Sequence, residues 1–176
     1  INLDYIIIGS EIDEKELKIS KSQPHLYSMK VAYQKGLAVS KRFPHDVIIS
    51  ADTIVVYKKI FEKPKNYSEA VKFLKTLSNK THYVYTGVSI ICNKKNININ
   101  FYEKTSVTFN KLLINDIKYY IKNYNPYDKS GSYGIQDWSC LFVKEIKGCF
   151  YNVIGFPISK FYKVINENNI KLTFHE

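Results

Sequence analysis

Apolar residues crowd the stretch Val47-Ile48-Ile49-Ser50-Ala51-Asp52-Thr53-Ile54-Val55-Val56-Tyr57, and β-branched side chains run through most of it. A run that is apolar on both faces predicts an interior strand of a covered sheet. Alternate side chains share a face, so Ile48, Ser50, Asp52, Ile54 and Val56 line up. A carboxylate thus falls within an apolar row, where an unpaired charge costs several kcal/mol. Asp52 needs a cation, a metal or an open cleft beside it; otherwise the strand breaks and Asp52 sits in a turn between two short strands.

The rest of the pattern predicts helices and hairpins around that strand. Ile1 to Ile8 opens with a strand pattern. Pro24 to Phe43 follows a helical stripe through Leu26, Met29, Tyr33, Leu37 and Ser40, with Lys30 and Lys35 on other faces. Lys58-Lys59 reads as a turn. Asn66 and Glu69 have capping-box spacing ahead of a second helix faced by Ala70, Phe73, Leu74 and Leu77. His82 to Cys92, a polar turn at Asn93 to Asn96, and the return through Ile97 to Phe109 make a long β-hairpin. Asn115 is placed to cap a third helix carrying Ile117, Tyr120, Ile121 and Tyr124, ending at Asn125-Pro126. Leu141 to Ile146 and Phe150 to Ile154 read as a second hairpin turning at Lys147-Gly148. Gly155-Phe156-Pro157 starts the last helix, with Ile158, Phe161, Tyr162 and Ile165 facing inward.

A chain of 176 residues suits one domain with a core that needs no disulfides. No apolar run approaches the roughly 20 residues of a membrane helix, and no signal-peptide pattern opens the sequence. Cys92, Cys140 and Cys149 lack C-x-x-C spacing, which argues against zinc, and their odd number favours a reducing, cytoplasmic setting. The net charge of +10 invites a nucleic-acid reading, yet Arg42 is the sole arginine. Sequence-specific readers of DNA rely on the bidentate fork that lysine lacks. Neither a nucleic acid nor a membrane is expected as a partner. A small polyanion such as a nucleotide fits the surplus charge.

Candidate chemistry outside the central strand is spread thin. Glu11-Ile12-Asp13-Glu14, with Glu16 behind, is either a solvated loop or a site for a hard cation. His82 reads as a hydrogen-bonded structural residue, since no cysteine or serine nucleophile pattern accompanies it. The loop Asp128-Lys129-Ser130-Gly131-Ser132-Tyr133-Gly134-Ile135-Gln136 has two glycines that allow close approach to a ligand, but no Walker A pattern.

Four stretches in order now resemble the Maf family of nucleoside triphosphate pyrophosphatases, most closely its dTTP/UTP pyrophosphatase branch. They are Ser50-Ala51-Asp52-Thr53 with Glu62-Lys63-Pro64; Leu77-Ser78 through Thr81-His82 to Thr86-Gly87-Val88; Asp128 to Gln136; and Asn152-Val153-Ile154-Gly155-Phe156-Pro157. The resemblance implies an α/β (α+β) fold like that of inosine triphosphatases: a long, curved mixed sheet flanked by helices, in two lobes with a cleft. It implies hydrolysis of a nucleoside triphosphate to the monophosphate and pyrophosphate with Mg²⁺ or Mn²⁺. Asp52 matches the family's proton acceptor. Thr53 and Gln136 match positions tied to base specificity, and Lys35, Lys63 and Glu14 match other cleft residues. Lys129 would join the lysines that offset triphosphate charge, and Glu14 would share the metal with Asp52. The whole chain, 1–176, is expected to be a single domain truncated at its N-terminus, since the family begins with a strand and a Ser-x-Ser-Pro-Arg-Arg loop. An exposed sheet edge would then make a homodimer possible. Asp137 stands where the family usually has glycine, which questions the local backbone. The competing expectation is a nucleotide-binding or cell-division regulatory protein without catalysis on the same scaffold.

Overall fold

The computed structural model describes residues 4–14 and 16–172. Helix α1 (Pro24–Arg42) leads into β1 (Ile48–Tyr57) and β2 (Lys59–Phe61), and α2 (Tyr67–Leu77) follows. Strands β3 (Thr81–Cys92) and β4 (Ile97–Phe109) form the long hairpin; α3 (Ile114–Tyr124), β5 (Val143–Lys147), α4 (Phe150–Ile154) and α5 (Ile158–Glu167) complete the chain. The strands make one five-stranded sheet in the order β2-β1-β3-β4-β5. Every pairing is antiparallel, so the described residues contain no parallel pair.

Local chemistry accounts for most boundaries. Pro24 sits in the first turn of α1, and Asn66 caps α2 by accepting the Glu69 N–H at 2.9 Å. The Glu69 carboxylate accepts instead from the Lys65 N–H, 2.7 Å away, so the box closes one residue early. Lys58, at φ 59°, supplies the tight reversal from β1 to β2, and Asn96, at φ 51°, does so between β3 and β4.

The sheet separates two environments. Helix α1 covers the face that carries Ile48, Ser50, Asp52 and Ile54, where Tyr27, Val31 and Ile54 form a small core. The opposite face is divided. One core packs Val55, Val84 and Val107 against Phe73, Leu74 and Leu77 of α2 and Ile117, Tyr120 and Ile121 of α3. A second packs Val88, Ile90 and Phe101 against Phe161 and Ile165 of α5.

Several sequence expectations need correction. Residues 4–8 form no strand, and residues 1–3 lie outside the described set. The stripe of α1 that faces the sheet is Ser28, Val31, Ala32, Gly36, Val39 and Ser40, rotated from the larger apolar residues expected there. Small side chains win because this helix lies flush on the strands. Asn115 is not the cap of α3; it falls inside the first turn, and Leu113 holds the cap position with no side-chain hydrogen bond. Phe150–Ile154 is helix rather than strand, and Leu141 belongs to the 3₁₀ turn Trp138–Phe142. Gly148, at φ 122°, turns the chain off β5 into that helix, which points Asn152 into the interior. Tyr162 is 52% exposed; Phe161 and Ile165 carry the inward face of α5.

Candidate active site

Asp52 lies in the middle of β1, directly opposite Gly87 of β3. A Cβ at Gly87 would fall 2.3 Å from the Met29 backbone nitrogen, so only glycine lets α1 rest on the sheet there. About two turns further along α1, a Cβ at Gly36 would meet the Ser50 hydroxyl at 2.6 Å, and that hydroxyl donates to the Ala32 carbonyl at 2.7 Å. This seating brings Lys35 over the strand, and its Nζ donates to Asp52 Oδ1 at 2.7 Å. Glu14 Oε1 meets the same Nζ at 2.7 Å. Asp52 is therefore held in a strand with a cation beside it, and its side chain is only 10% exposed.

The charges of this cluster are unequal. Burial pushes the Asp52 carboxyl up; Lys35 pulls it down, Glu14 pushes it up, and Lys63 lowers it, with a net rise above the ordinary aspartate value. Burial pulls Lys35 down, but its two carboxylate partners outweigh that and leave it raised. The cluster thus favours a protonated lysine and carries one carboxylate more than its direct cation balances.

Thr53, the next residue, points to the other face. Its hydroxyl lies 2.8 Å from the Thr86 hydroxyl, which donates to the Asn152 carbonyl at 3.0 Å. Since Thr86 spends its single proton there, the Thr53 hydroxyl is the donor of the pair, shared with the Gly155 carbonyl at 3.4 Å. Asn152 in turn donates to the Val84 carbonyl at 3.1 Å and to Thr105 Oγ1 at 3.0 Å, stitching α4 to both long strands. The result is a neutral seam between the two cores of that face.

The 128–136 loop docks on the β1–β2 end. Ser130 Oγ accepts the Val55 N–H at 2.9 Å and donates to the Phe61 carbonyl. Gly131 takes φ 70°, and a Cβ there would touch the Val55 side chain at 3.0 Å. Tyr133 meets His82 Nε2 at 2.8 Å in the interior, so His82 anchors the loop as a structural residue. Burial lowers the His82 pKa to about 4 and keeps the ring neutral. Gly131 therefore serves packing, whereas a Cβ at Gly134 would first meet the movable Lys129 side chain at 2.5 Å. Lys129 Nζ pairs with Asp128 at 2.9 Å. Lys63 makes no direct ion pair among the described residues, yet its charge lowers both Asp52 and Asp128. Gln136 stands exposed on the following turn, and no hydrogen bond ties it to the Asp52 cluster.

Asp137 keeps φ at −109°, a conformation open to any residue. Its carboxylate accepts from the Ser139 N–H at 2.9 Å and from the Tyr120 hydroxyl at 3.0 Å, which gives the non-glycine residue a structural task. Arg42 reaches away from Asp52, donating to Glu11 at 2.9 Å and to the Gly9 carbonyl at 2.8 Å. Residue-by-residue reading of the sequence passed over Gly87, Ser50, Ser130 and Asn152 as contributors to the site. Gly87 carried a readable signal, a glycine inside a strand, which marks close backbone approach.

Among the described residues, no three histidine, cysteine, aspartate or glutamate side chains gather as a metal cluster. Glu14 and Asp52 are nonetheless two hard oxygen donors converging on one ammonium, and such a pair suits Mg²⁺, which is held by one or two carboxylates plus phosphate oxygens. An antiparallel sheet backed by helices, with an acid–lysine centre set under its first helix, defines an α/β protein with a buried ionic site. The chain belongs to the Maf family, matching the description "Maf-like protein" over residues 1–168. It is similar to a dTTP/UTP pyrophosphatase of Bacillus cereus, 43% identical over 168 residues, covering 95% of this chain and 86% of that relative. The protein of the same description from a second strain of Bacillus cereus, AH187, is 42% identical over 173 residues, covering 98% and 88%. That from Bacillus anthracis is 42% identical over 168 residues, covering 95% and 86%. No helix among the described residues is long and apolar enough to cross a membrane.

Proposed function

We propose that this chain is a nucleoside triphosphate pyrophosphatase that hydrolyses dTTP and UTP to the monophosphate and pyrophosphate. The observation that carries this is Asp52, a carboxylate held in an interior strand with a single ammonium and a second carboxylate gathered on it. The similarity to dTTP/UTP pyrophosphatases over most of both chains supports the substrate class.

In this reading Asp52 orients a water molecule and takes its proton as the oxygen bonds to the α-phosphorus. The bond from that phosphorus to the bridging oxygen breaks, and pyrophosphate leaves with the electron pair. Phosphoryl chemistry of this kind needs positioning and charge neutralisation more than covalent help. Lys35 holds Asp52 in place, and Lys63 and Lys129 supply positive charge toward the phosphates. Glu14 and Asp52 would hold a divalent cation, Mg²⁺ or Mn²⁺, which supplies charge neutralisation at phosphate oxygens when bound. Gln136 offers a carbonyl acceptor and an amide donor that complement the N3–H and O4 of uracil or thymine. Thr53, whose hydroxyl is bonded to Thr86 on the other face of the sheet, would act on this discrimination through the position of β1.

Pyrophosphate release from UTP, dTTP and the purine triphosphates, with Mg²⁺ or Mn²⁺ present, tests the reading. Turnover should favour UTP and dTTP, and Asp52→Asn should reduce kcat by about 10²–10⁴-fold, the usual contribution of a positioned base. Tight triphosphate binding with no turnover in the unaltered chain would overturn it.

A further inference from the structure

Helices α2 and α3 pack side by side, and an open hollow of about 620 Å³ lies at their junction. Tyr67 at the start of α2, Tyr119 of α3 and Tyr127 from the turn beyond it line the hollow, with Ile121 on its apolar side. The three tyrosines are 42%, 52% and 36% exposed, so their faces are wet. Lys118 and Lys122, one turn apart on α3, line it too. No carboxylate does, and neither lysine forms an ion pair among the described residues. Glu69 accepts from the Lys65 N–H and Asp128 pairs with Lys129.

A lysine near the end of a helix is explained by the helix dipole. That accounts for Lys122 and leaves Lys118 and the exposed faces of three rings, although the Tyr119 ring also packs on Trp138. Tyrosine faces beside unpaired ammonium groups are the chemistry that takes a planar base by stacking and its phosphate by charge. The hollow's size falls within the roughly 300–1,000 Å³ of ordinary ligand sites. We propose that the hollow between α2 and α3 binds a nucleotide unit, its base on the tyrosine rings and its phosphate at Lys118 and Lys122. The site is separate from the Asp52 centre, with which it shares no residue. Its ligand is either a free nucleotide or one unit of a single strand, which present the same base and phosphate.

Trp138, the chain's single tryptophan, reports on this place because its ring lies 5.2 Å from that of Tyr119 and 6.5 Å from that of Tyr124. The unaltered chain is titrated with uridine monophosphate, with a thymidine pentanucleotide and with inorganic phosphate while tryptophan emission is followed. A saturable change with the monophosphate or the pentanucleotide, and none with phosphate, is expected; the tighter of the two names the source. The double variant Lys118→Glu, Lys122→Glu should weaken binding about tenfold or more, since it turns two attractive charges into repulsive ones at the phosphate. Tyr119→Ala, a change at an exposed ring, should abolish binding. Steady-state constants for UTP hydrolysis should be unchanged in both. No emission change with either nucleotide, an equal change with phosphate alone, or an affinity indifferent to the lysine variant would overturn the proposal. The readout needs no turnover, so a failure of the pyrophosphatase reading would leave this result standing.

Discussion

Beneath α1, Asp52 gives the sheet a charged face: two carboxylates share one ammonium, and burial lifts the aspartate above its ordinary value. One residue on, the Thr53 hydroxyl enters a seam on the other face where every partner is a neutral hydroxyl, amide or carbonyl. That seam closes its hydrogen bonds apart from the Asn152 side-chain oxygen. The charged face is left out of balance. A single strand thus serves both ends: neutral bonds fix where the backbone lies, and the imbalance next to them is the part available for chemistry.

Each half of that comparison can be broken separately. The largest structural effect is expected from Gly87→Val, whose new side chain must push α1 off the sheet. A loss of about 3 kcal/mol in stability follows from overpacking of this kind, and turnover should vanish with it because Lys35 leaves Asp52; thermal melts and pyrophosphate release measure both. Asn152→Ala breaks the neutral face alone. It removes the buried donor to the Val84 carbonyl and Thr105 and should cost about 2 kcal/mol, with the melting temperature falling and most of kcat retained in the folded fraction.

A smaller effect sharpens the charged side. A base with a raised pKa must be ionised to act, so activity should rise with pH along a limb above the ordinary aspartate value of 3.8. Lys35→Met removes an ammonium that lowers Asp52, and the limb should move to still higher pH. Stability follows the opposite sense. A carboxyl raised in the folded state contributes stability that is full below its unfolded pKa and is lost as pH rises through the folded one. Asp52→Asn should therefore flatten that decline, seen as a melting temperature at neutral pH no lower than that of the unaltered chain. The smallest effect belongs to Arg42→Ala: its partner Glu11 is 78% exposed, so the pair contributes under about 1 kcal/mol to the melting transition.

The strands and the α2 cap were legible because their signals are local: alternation through β3 and β4, and Asn66 three residues before Glu69. The carboxylate in an apolar row was legible for the same reason, as was its need for a cation, a metal or an open cleft; the structure supplies the cation. Its partner was not readable from α1's own pattern, because the largest apolar residues suggested one stripe and close packing selected another. Small residues at Ala32 and Gly36 turn Lys35 toward the strand, and that choice depends on Gly87, about fifty residues away in sequence. Phe150–Ile154 alternates well enough for a strand and is helical because Asn152 has interior bonds to make. The role of Gln136 came from family likeness and that of Lys129 from its charge in the loop, and their loop geometry answers to Val55, Tyr120 and His82 rather than to any signal within the loop.

Ser130 reaches back to two neighbouring strands, β1 and β2, from far along the chain, with its hydroxyl between the Val55 amide and the Phe61 carbonyl. As the polypeptide emerges from the ribosome, Asp52, Lys35 and Glu14 are all made before that clasp exists. The rim beside Lys63 is therefore fastened only after residue 130 has been made, later than any of the three charged groups it borders.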